Sequence, residues 1–473
     1  VGLMTKALGT EIGGQGKKLV EDKNLVENPS RMIAEVIELK KKYARLLPLA
    51  FSERKVAAAA AAMAGAKGDK AEQVNTLADL QVITSETSNR VTDNAFVKTM
   101  NAAFERFLND FSSCPEYLSL HLDAFFRHEV KGKSEDEIES QLDSVISIFR
   151  YIKNKDIFER YYKQHLSRRL LGSKSMSDDA EHAFLTKLKD ECGHVYTTKL
   201  ENMFADMTTS VETMSDFRKY LSERNTSTPV ELEVSVLTTG SWPIKPEAVY
   251  TLPSDILQST AAFEKFYLER HDGRRLAWQT HMGGAELRAR FGERKHELVV
   301  NSSQTCILYI FNDYDRLDYG RIKELVGVNI PDVDLRRELQ SLACGKYRIL
   351  EKNPKGKEVN PTDEFIVNDS FTSKLIRIKI PTILKQKEND IEKKYTRAKI
   401  DDDRKPQIDA VIVRIMKSRK ELDHVNLLSE TTAQLSSRFA PDPMDIKLRI
   451  ESLIERDFLE RSDLNSKVYR YIA

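Results

Sequence analysis

The sequence predicts a mainly α chain assembled from modules: the end of a helical repeat, a four-helix bundle, a small α/β sheet region and two winged-helix modules in tandem. Three observations predict it. Apolar residues recur at helical spacing over much of the 473 residues, as in Phe96, Met100, Phe104, Phe107 and Phe111. Midway the period shortens to that of a strand, with Val230, Leu232, Val234 and Val236 alternating against polar residues before Gly240. Twice towards the C-terminus, three short helical patterns are followed by two alternating stretches across a turn, the order helix, helix, helix, wing.

Residues 1–133 read as the end of a helical repeat, with Ile33, Val36, Ile37 and Leu46 among charges. The Gly-rich stretch Ile12–Lys18 reads as a loop. It is not a phosphate-binding loop, because Lys18 stands where Ser or Thr is needed and Glu11 where the first Gly belongs. Residues 53–92 are biased to Ala, Lys, Ser and Thr and read as a flexible, partly helical insert.

Residues 134–227 form the expected four-helix bundle. A helix runs from Ser134 to Phe149 on Ile138, Leu142, Val145 and Ile146. Between Lys153 and Lys174 seven Lys or Arg stand against Asp156 and Glu159, a net charge of +5, which charge alone reads as a solvated helix face. Ser177 or Asp178 caps the next helix, and Asp178 with Glu181 has capping-box spacing. Residues 228–302 make the α/β region, with strands at Val230–Val236, Leu276–Thr280, Glu286–Arg290 and His296–Val300 and a helix at Ala261–Leu268. An open edge of such a sheet is a template for a strand of another chain.

The first winged-helix module spans residues 303–380, with wing strands near Tyr347–Leu350 and Glu364–Val367. Residues 381–400 are charged and nearly devoid of core positions, hence a linker or exposed helix. Residues 401–473 are the second module. Its first helix carries the stripe Ile408, Val411, Ile412 and Ile415. Lys417 lies roughly 190° from the centre of that stripe and points to solvent. Val413 and Arg414 share its face, and with Lys420 they read as a docking surface.

A net charge of +1 with 31% charged residues supplies no global field for nucleic acid or membrane. The winged-helix nucleic-acid reader, the alternative function, places its third helix in the major groove. Here the open face of that helix would carry Leu448, Glu451, Ser452 and Glu455, which repels phosphate. Cys114, Cys192, Cys306 and Cys344 include no CxxC, and no His falls at ligand spacing, so no metal site is expected and the thiols should be reduced, in an intracellular protein. The longest apolar stretch, Val56–Ala66, is far short of the ~20 residues of a membrane span. The opening VGLMTKALGTEIGGQGKK has no signal-peptide pattern, and the chain reads as a fragment lacking its true N-terminus.

The stretches IVRIMKSRK and RIESLIERDFLER and the terminal YIA resemble the C-terminal module of the cullin family. LTTGSWP, RRLAWQTHMG, LQSLACGK, VNDSFTSKL and DDDRKPQID extend the resemblance over roughly Asn94 to Ala473, with the best fit to a plant-like form of the cullin paralogue that uses BTB-domain adaptors. The resemblance implies a non-catalytic scaffold subunit of a multisubunit cullin-RING ubiquitin ligase, in cytoplasm and nucleus, promoting substrate ubiquitination for proteasomal degradation. It implies Lys417 as the acceptor of the ubiquitin-like modifier of the neddylation pathway, with Val413, Arg414 and Lys420 meeting the modifying enzymes. Val230, Leu232, Val234 and Val236 would dock a strand of a RING-box protein, the only partner expected to bring zinc; no cofactor is implied. FERYYKQHLSRRLL, KSMSDDAE and KLKDECG are similar to the family's basic canyon, so Arg168, Arg169, Lys187 and Lys189 would receive the acidic tail of a ubiquitin-conjugating enzyme. The adaptor-binding repeat is absent from this sequence, so BTB adaptors are expected only on the full-length protein.

Overall fold

The computed structural model describes residues 2–50, 94–172, 177–244, 250–292, 294–381, 386–462, 465 and 467–472. They fall into two compact units, Val1–Glu201 with Tyr395–Ala473, and Asn202–Lys394. The Ala-rich insert expected at 53–92 lies outside the described residues.

The first unit opens with α1 (Gly2–Glu21), α2 (Lys23–Val26), α3 (Pro29–Ala50), α4 (Asn94–Asp110) and α5 (Cys114–Ala124), which runs on into a π turn at Phe125–Glu129. The expected loop at Ile12–Lys18 is instead part of α1, with Ile12 fully buried. Packing explains the correction. A Cβ at Gly16 would stand 2.5 Å from the ring of Phe107 on α4, so glycine is there for close approach and its weak helix propensity is overridden.

Next come α6 (Glu135–Phe149), α7 (Lys155–Leu171), α8 (Asp178–Cys192) and α9 (His194–Glu223). Ser134 starts α6 with a full capping box to Glu137. Ser177 caps α8, its Oγ accepting from the amide of Ala180. Glu181, which the spacing offered to a capping box, is wholly buried and bonds Arg169 instead. Aromatic rings tie these helices together: Phe149 to Phe158 at 4.9 Å, Phe158 to Tyr162 at 5.6 Å and Tyr162 to Phe184 at 5.3 Å.

In the second unit the distal part of α9 packs on α10 (Ser254–Arg270) through Met214, Phe217, Phe263, Phe266 and Tyr267. Then follow β1 (Gly284–Phe291), β2 (Arg294–Asn301), α11 (Ser302–Ile310), β3 (Arg316–Asp318), α12 (Tyr319–Val326), α13 (Asp332–Ala343), β4 (Leu350–Asn353), β5 (Glu364–Val367) and β6 (Arg377–Lys379). One sheet has the order β1-β2-β6, with β2 and β6 parallel, and the other β3-β5-β4. Leu298, Ile307, Ile322, Leu335, Leu339 and Phe365 form their shared core. The strands expected at Glu286–Arg290 and His296–Val300 are the β1–β2 hairpin.

α14 (Gln386–Arg419), whose residues from Tyr395 onward belong to the first unit, is one helix through Pro406, so the charged segment is helical from Gln386 onward. Thr396 and Ile400 are already buried. The module closes with β7 (Glu421–Asp423), α15 (His424–Leu435), α16 (Pro443–Glu455), β8 (Leu459–Arg461) and β9 (Val468–Tyr471), in a sheet of order β7-β9-β8. Ile408, Ile412, Leu427, Ile446, Ile450 and Leu453 are its core, the apolar stripe seen in the sequence.

Candidate functional site: an exposed lysine and an unladdered extended segment

Ile408, Ile412, Ile415 and Met416 are buried, which fixes the rotation of α14 and puts Lys417 on its exposed face one turn from the end. The cations around it are engaged. Arg414 donates from Nη2 to Oε1 of Gln434 at 2.7 Å, and Arg419 pairs with Glu430 at 3.2 Å, both partners on α15. Along the helix Lys399 pairs with Asp403 at 3.8 Å and Lys405 with Asp402 at 2.8 Å. Lys420 extends over the ring of Tyr471, its Nζ 5.3 Å from the centroid. Among the described residues, Lys417 has no such partner. In the expected docking patch Val413 packs in part against the module's core, while Arg414 and Lys420 are exposed and rest on neighbouring side chains.

Lys420 also ends the helix, at φ 69°, a left-handed conformation that glycine or asparagine takes more readily. Its amide closes on the carbonyl of Met416 at 2.8 Å, and its carbonyl accepts from the amide of Tyr471 at 2.9 Å, so it is tied to its own helix on one side and to β9 on the other.

A second feature lies in the other unit. Residues 231–237 are extended, with Leu232, Val234 and Val236 seated on the α9–α10 core. The expected strand has no ladder partner among the described residues. Instead the amide of Val230 bonds Oγ of Ser259, that of Val234 meets Sδ of Met214, and that of Val236 bonds Oγ of Ser210 at 2.8 Å. By the alternation of an extended chain, Glu231, Glu233 and Ser235 turn their backbone groups the other way. Residues 274–279, where a strand was expected at Leu276–Thr280, form no helix or ladder either, with Leu276 on the same apolar core and Trp278 6.1 Å from Phe263.

Asp206 on α9 anchors the end of this segment. Its carboxylate accepts from the amide and hydroxyl of Thr238 and from Nε1 of Trp242, each at 2.7 Å, which explains the TTGSWP motif together with Gly240 at φ 86°. Replacing Asp206 by Ala leaves the indole N–H of the buried Trp242 without its acceptor. A loss of about 1–3 kcal/mol is expected, read as faster hydrogen exchange at Thr238.

The predicted basic patch separates. Arg168 is exposed, but Arg169 is completely buried between Glu181 and Asp123 and cannot meet an acidic tail. Lys187 is held by Glu139 and Asp143 at 3.2 and 2.6 Å, and Lys189 by Glu201 at 3.2 Å. The thiols are also held back. Burial pushes Cys114 up to about 12 and Cys306 to about 11, and it raises Cys192 and Cys344. On α16, Leu448, Glu451 and Glu455 are exposed, an acidic face unsuited to phosphate.

Residues 1–214 match the cullin alpha solenoid domain, residues 236–371 the cullin alpha+beta domain and residues 403–465 the cullin protein neddylation domain. The chain belongs to the cullin family. It is 49% identical to Cullin-3A of Arabidopsis thaliana over 383 residues, 80% of this chain and 52% of the relative. Against Cullin-3B of the same plant it is 43% identical over 460 residues, 97% of this chain and 57% of the relative. Against Cullin-3 of Dictyostelium discoideum it is 44% identical over 415 residues, 80% and 54%. The chain thus spans about half the length of the cullin relatives it matches. The resemblance to the BTB-adaptor paralogue agrees with these Cullin-3 relatives, and Lys417 falls inside the matched neddylation domain.

Three cullin-module residues escaped the sequence reading: Glu430, Gln434 and Tyr471. The first two fall at i and i+4 on α15, the spacing of one helix face, which was a usable signal. Tyr471 stood inside the terminal YIA motif with no hint that Lys420 would reach it.

Proposed function

We propose that this chain is the C-terminal part of a scaffold subunit of a cullin-RING ubiquitin ligase of the Cullin-3 type, non-catalytic itself and regulated by neddylation at Lys417. The observation that carries the reading is Lys417: an exposed amine in the matched neddylation domain, with every neighbouring cation engaged elsewhere. In this reading the unladdered segment 231–237 accepts a strand of a RING-box protein, whose RING brings the zinc. Main-chain bonds to Glu231, Glu233 and Ser235 give affinity, and the seated Val and Leu side chains keep the segment in register. The RING holds a thioester-charged ubiquitin-conjugating enzyme near substrate, and the gain comes from proximity. The raised thiol pKa values support a scaffold, since a covalent transfer enzyme needs an accessible, easily ionised thiol. Of the basic run, Arg168, Lys187 and Lys189 are then what an acidic tail would meet, with Lys187 and Lys189 reached by exchange of their surface ion pairs. BTB adaptors belong to the full-length protein, at work in cytoplasm and nucleus for proteasomal degradation of substrates.

The test is reconstituted conjugation. This chain, co-expressed with a RING-box protein, is given the neddylation enzymes as wild type, as Lys417→Arg and as Glu233→Pro. A single modified species is expected in wild type and none in Lys417→Arg. Glu233→Pro removes one outward amide without touching the core, and should lower co-purified RING-box protein about tenfold, a loss of one to two hydrogen bonds. Equal modification of wild type and Lys417→Arg would refute the acceptor, and undiminished co-purification with Glu233→Pro would refute the strand dock.

A further inference from the structure

We propose that Tyr471 is a specificity-determining residue for the modification, because it withdraws the competing amine of Lys420 and leaves Lys417 as the acceptor. This rests on the acceptor reading above. Between Tyr395 and Lys420 the chain has four lysines, Lys399, Lys405, Lys417 and Lys420. Two are paired with aspartates of their own helix. That leaves two amines at the end of α14, three residues apart, and a modifying enzyme that reaches one would have the other within a side chain's length.

The structure treats the two differently. Lys417 leaves the last helical turn on its exposed face. Lys420 is already off the helix, at φ 69°, with its amide and carbonyl both bonded, and its ammonium rests 5.3 Å from the centroid of Tyr471. Tyr471 cannot drift away from it: it is the last residue of β9, its amide bonds the carbonyl of Lys420, and its ring packs in part against the module's core. A cation resting on an aromatic face is held there, and its nitrogen must leave the ring before it can approach a carbonyl carbon. In the reaction, the lone pair of Nζ attacks the thioester carbonyl of the charged modifier. The C–N isopeptide bond forms, the C–S bond breaks, the conjugating enzyme's thiolate leaves, and the amine's proton passes to solvent. Lys420 must give up its ring contact before the first of these events, and Lys417 has no such contact to give up.

The contact is exposed, so the discrimination it supplies is about two- to five-fold, added to whatever the enzymes impose. Two measurements test it. The first needs no partner: the chain is labelled briefly with N-hydroxysuccinimidyl acetate and the acetylated peptides are counted by mass spectrometry. Lys417 should label faster than Lys420 in wild type. Tyr471→Leu, which keeps the apolar contact and removes the aromatic face, should raise Lys420 labelling about two- to five-fold with Lys417 unchanged. Tyr471→Phe, which keeps the face, should behave as wild type. Lys420 labelling as fast as Lys417 in wild type, or unchanged in Tyr471→Leu with its melting temperature preserved, would overturn the proposal. The second measurement is the rate of conjugation in the Lys417→Arg background: product on Lys420 should form about two- to five-fold faster when Tyr471→Leu is added and at an unchanged rate when Tyr471→Phe is. A Lys420 product formed no faster with Tyr471→Leu than with Tyr471 intact would overturn the proposal. A modified peptide in wild type that is not the Lys417 peptide would instead overturn the acceptor reading, leaving the labelling result to stand on its own.

Discussion

Arg169→Ala should destabilise the helical part of the first unit by about 3–5 kcal/mol, the cost of breaking a buried ion pair from one side. The guanidinium is fully buried and bonds Glu181 in fork geometry, Nε to Oε1 at 2.6 Å and Nη2 to Oε2 at 2.9 Å. Its remaining nitrogen donates to Asp123 at 2.7 Å, and its plane lies 5.0 Å from the ring of Phe126 and 5.5 Å from that of Tyr162. One side chain thus joins α5, α7 and α8. Truncation strands the Glu181 carboxylate at zero exposure, its charge no longer matched by the guanidinium although the hydroxyl of Tyr162 still donates to it at 3.1 Å. Hydrogen exchange across α7 and α8 under mild denaturant reads the loss region by region, which a single melting curve of a two-unit chain would blur. The sign of a second substitution checks the cause. Arg169→Met combined with Glu181→Leu should recover most of the loss, because the desolvation cost disappears with both charges. If the double variant were as unstable as Arg169→Ala, packing rather than stranded charge would be responsible.

Arg169 also shows where the sequence could be read and where it could not. Tyr162, Leu166 and Arg169 follow at i, i+4 and i+7, the spacing of one helix face, so the burial of position 169 was written in the pattern. The run of positive charge around it drew the reading outward instead. Conversely, the stripe of the last module predicted both its core and the exposure of Lys417, because there the apolar residues and the period agree. The Gly-rich stretch of α1 was misread as a loop, since what decides Gly16 is the ring of Phe107, more than ninety residues further on. The alternation at Val230–Val236 predicted a half-buried strand; Leu232, Val234 and Val236 are half-buried as it required, but Val230 is exposed and no strand forms. It could not show that the ladder would be missing, because periodicity reports which face is buried and says nothing of which strand lies alongside.

Arg404→Gln should loosen the last module from α7, with the amides of Lys155 and Asp156 as the reporters. The first turn of α7 is capped from outside its own helix. Asn154, in the N-cap position, makes no side-chain bond to the turn, and the amides of Lys155 and Asp156 donate to the carbonyl of Arg438, in the loop after α15, at 3.0 and 3.3 Å. The side chain of Asn154 is used outward, its Oδ1 accepting from Ala440 at 3.3 Å and from Arg404 at 3.2 Å. Arg404 then grips Asp156 through Nε at 2.6 Å and Nη2 at 2.9 Å while stacking 4.6 Å from the ring of Phe439. Both charged side chains are 17% exposed, so solvent screens the pair little. Removing the charge-assisted bonds should cost about 1.5–3 kcal/mol of docking, and at about 1.4 kcal/mol per decade the undocked fraction should rise roughly ten- to a hundredfold. Exchange at Lys155 and Asp156 should accelerate by that factor while Phe184 in α8 stays protected. Lys405→Gln is the matching control: its pair with Asp402 has both side chains more than half exposed, and it should leave exchange unchanged. Equal acceleration in both variants would mean that net charge on α14, and not the Arg404–Asp156 grip, holds the module down. Acceleration in Arg404→Gln alone would make the N-terminus of α7 the point at which this module is held or let go.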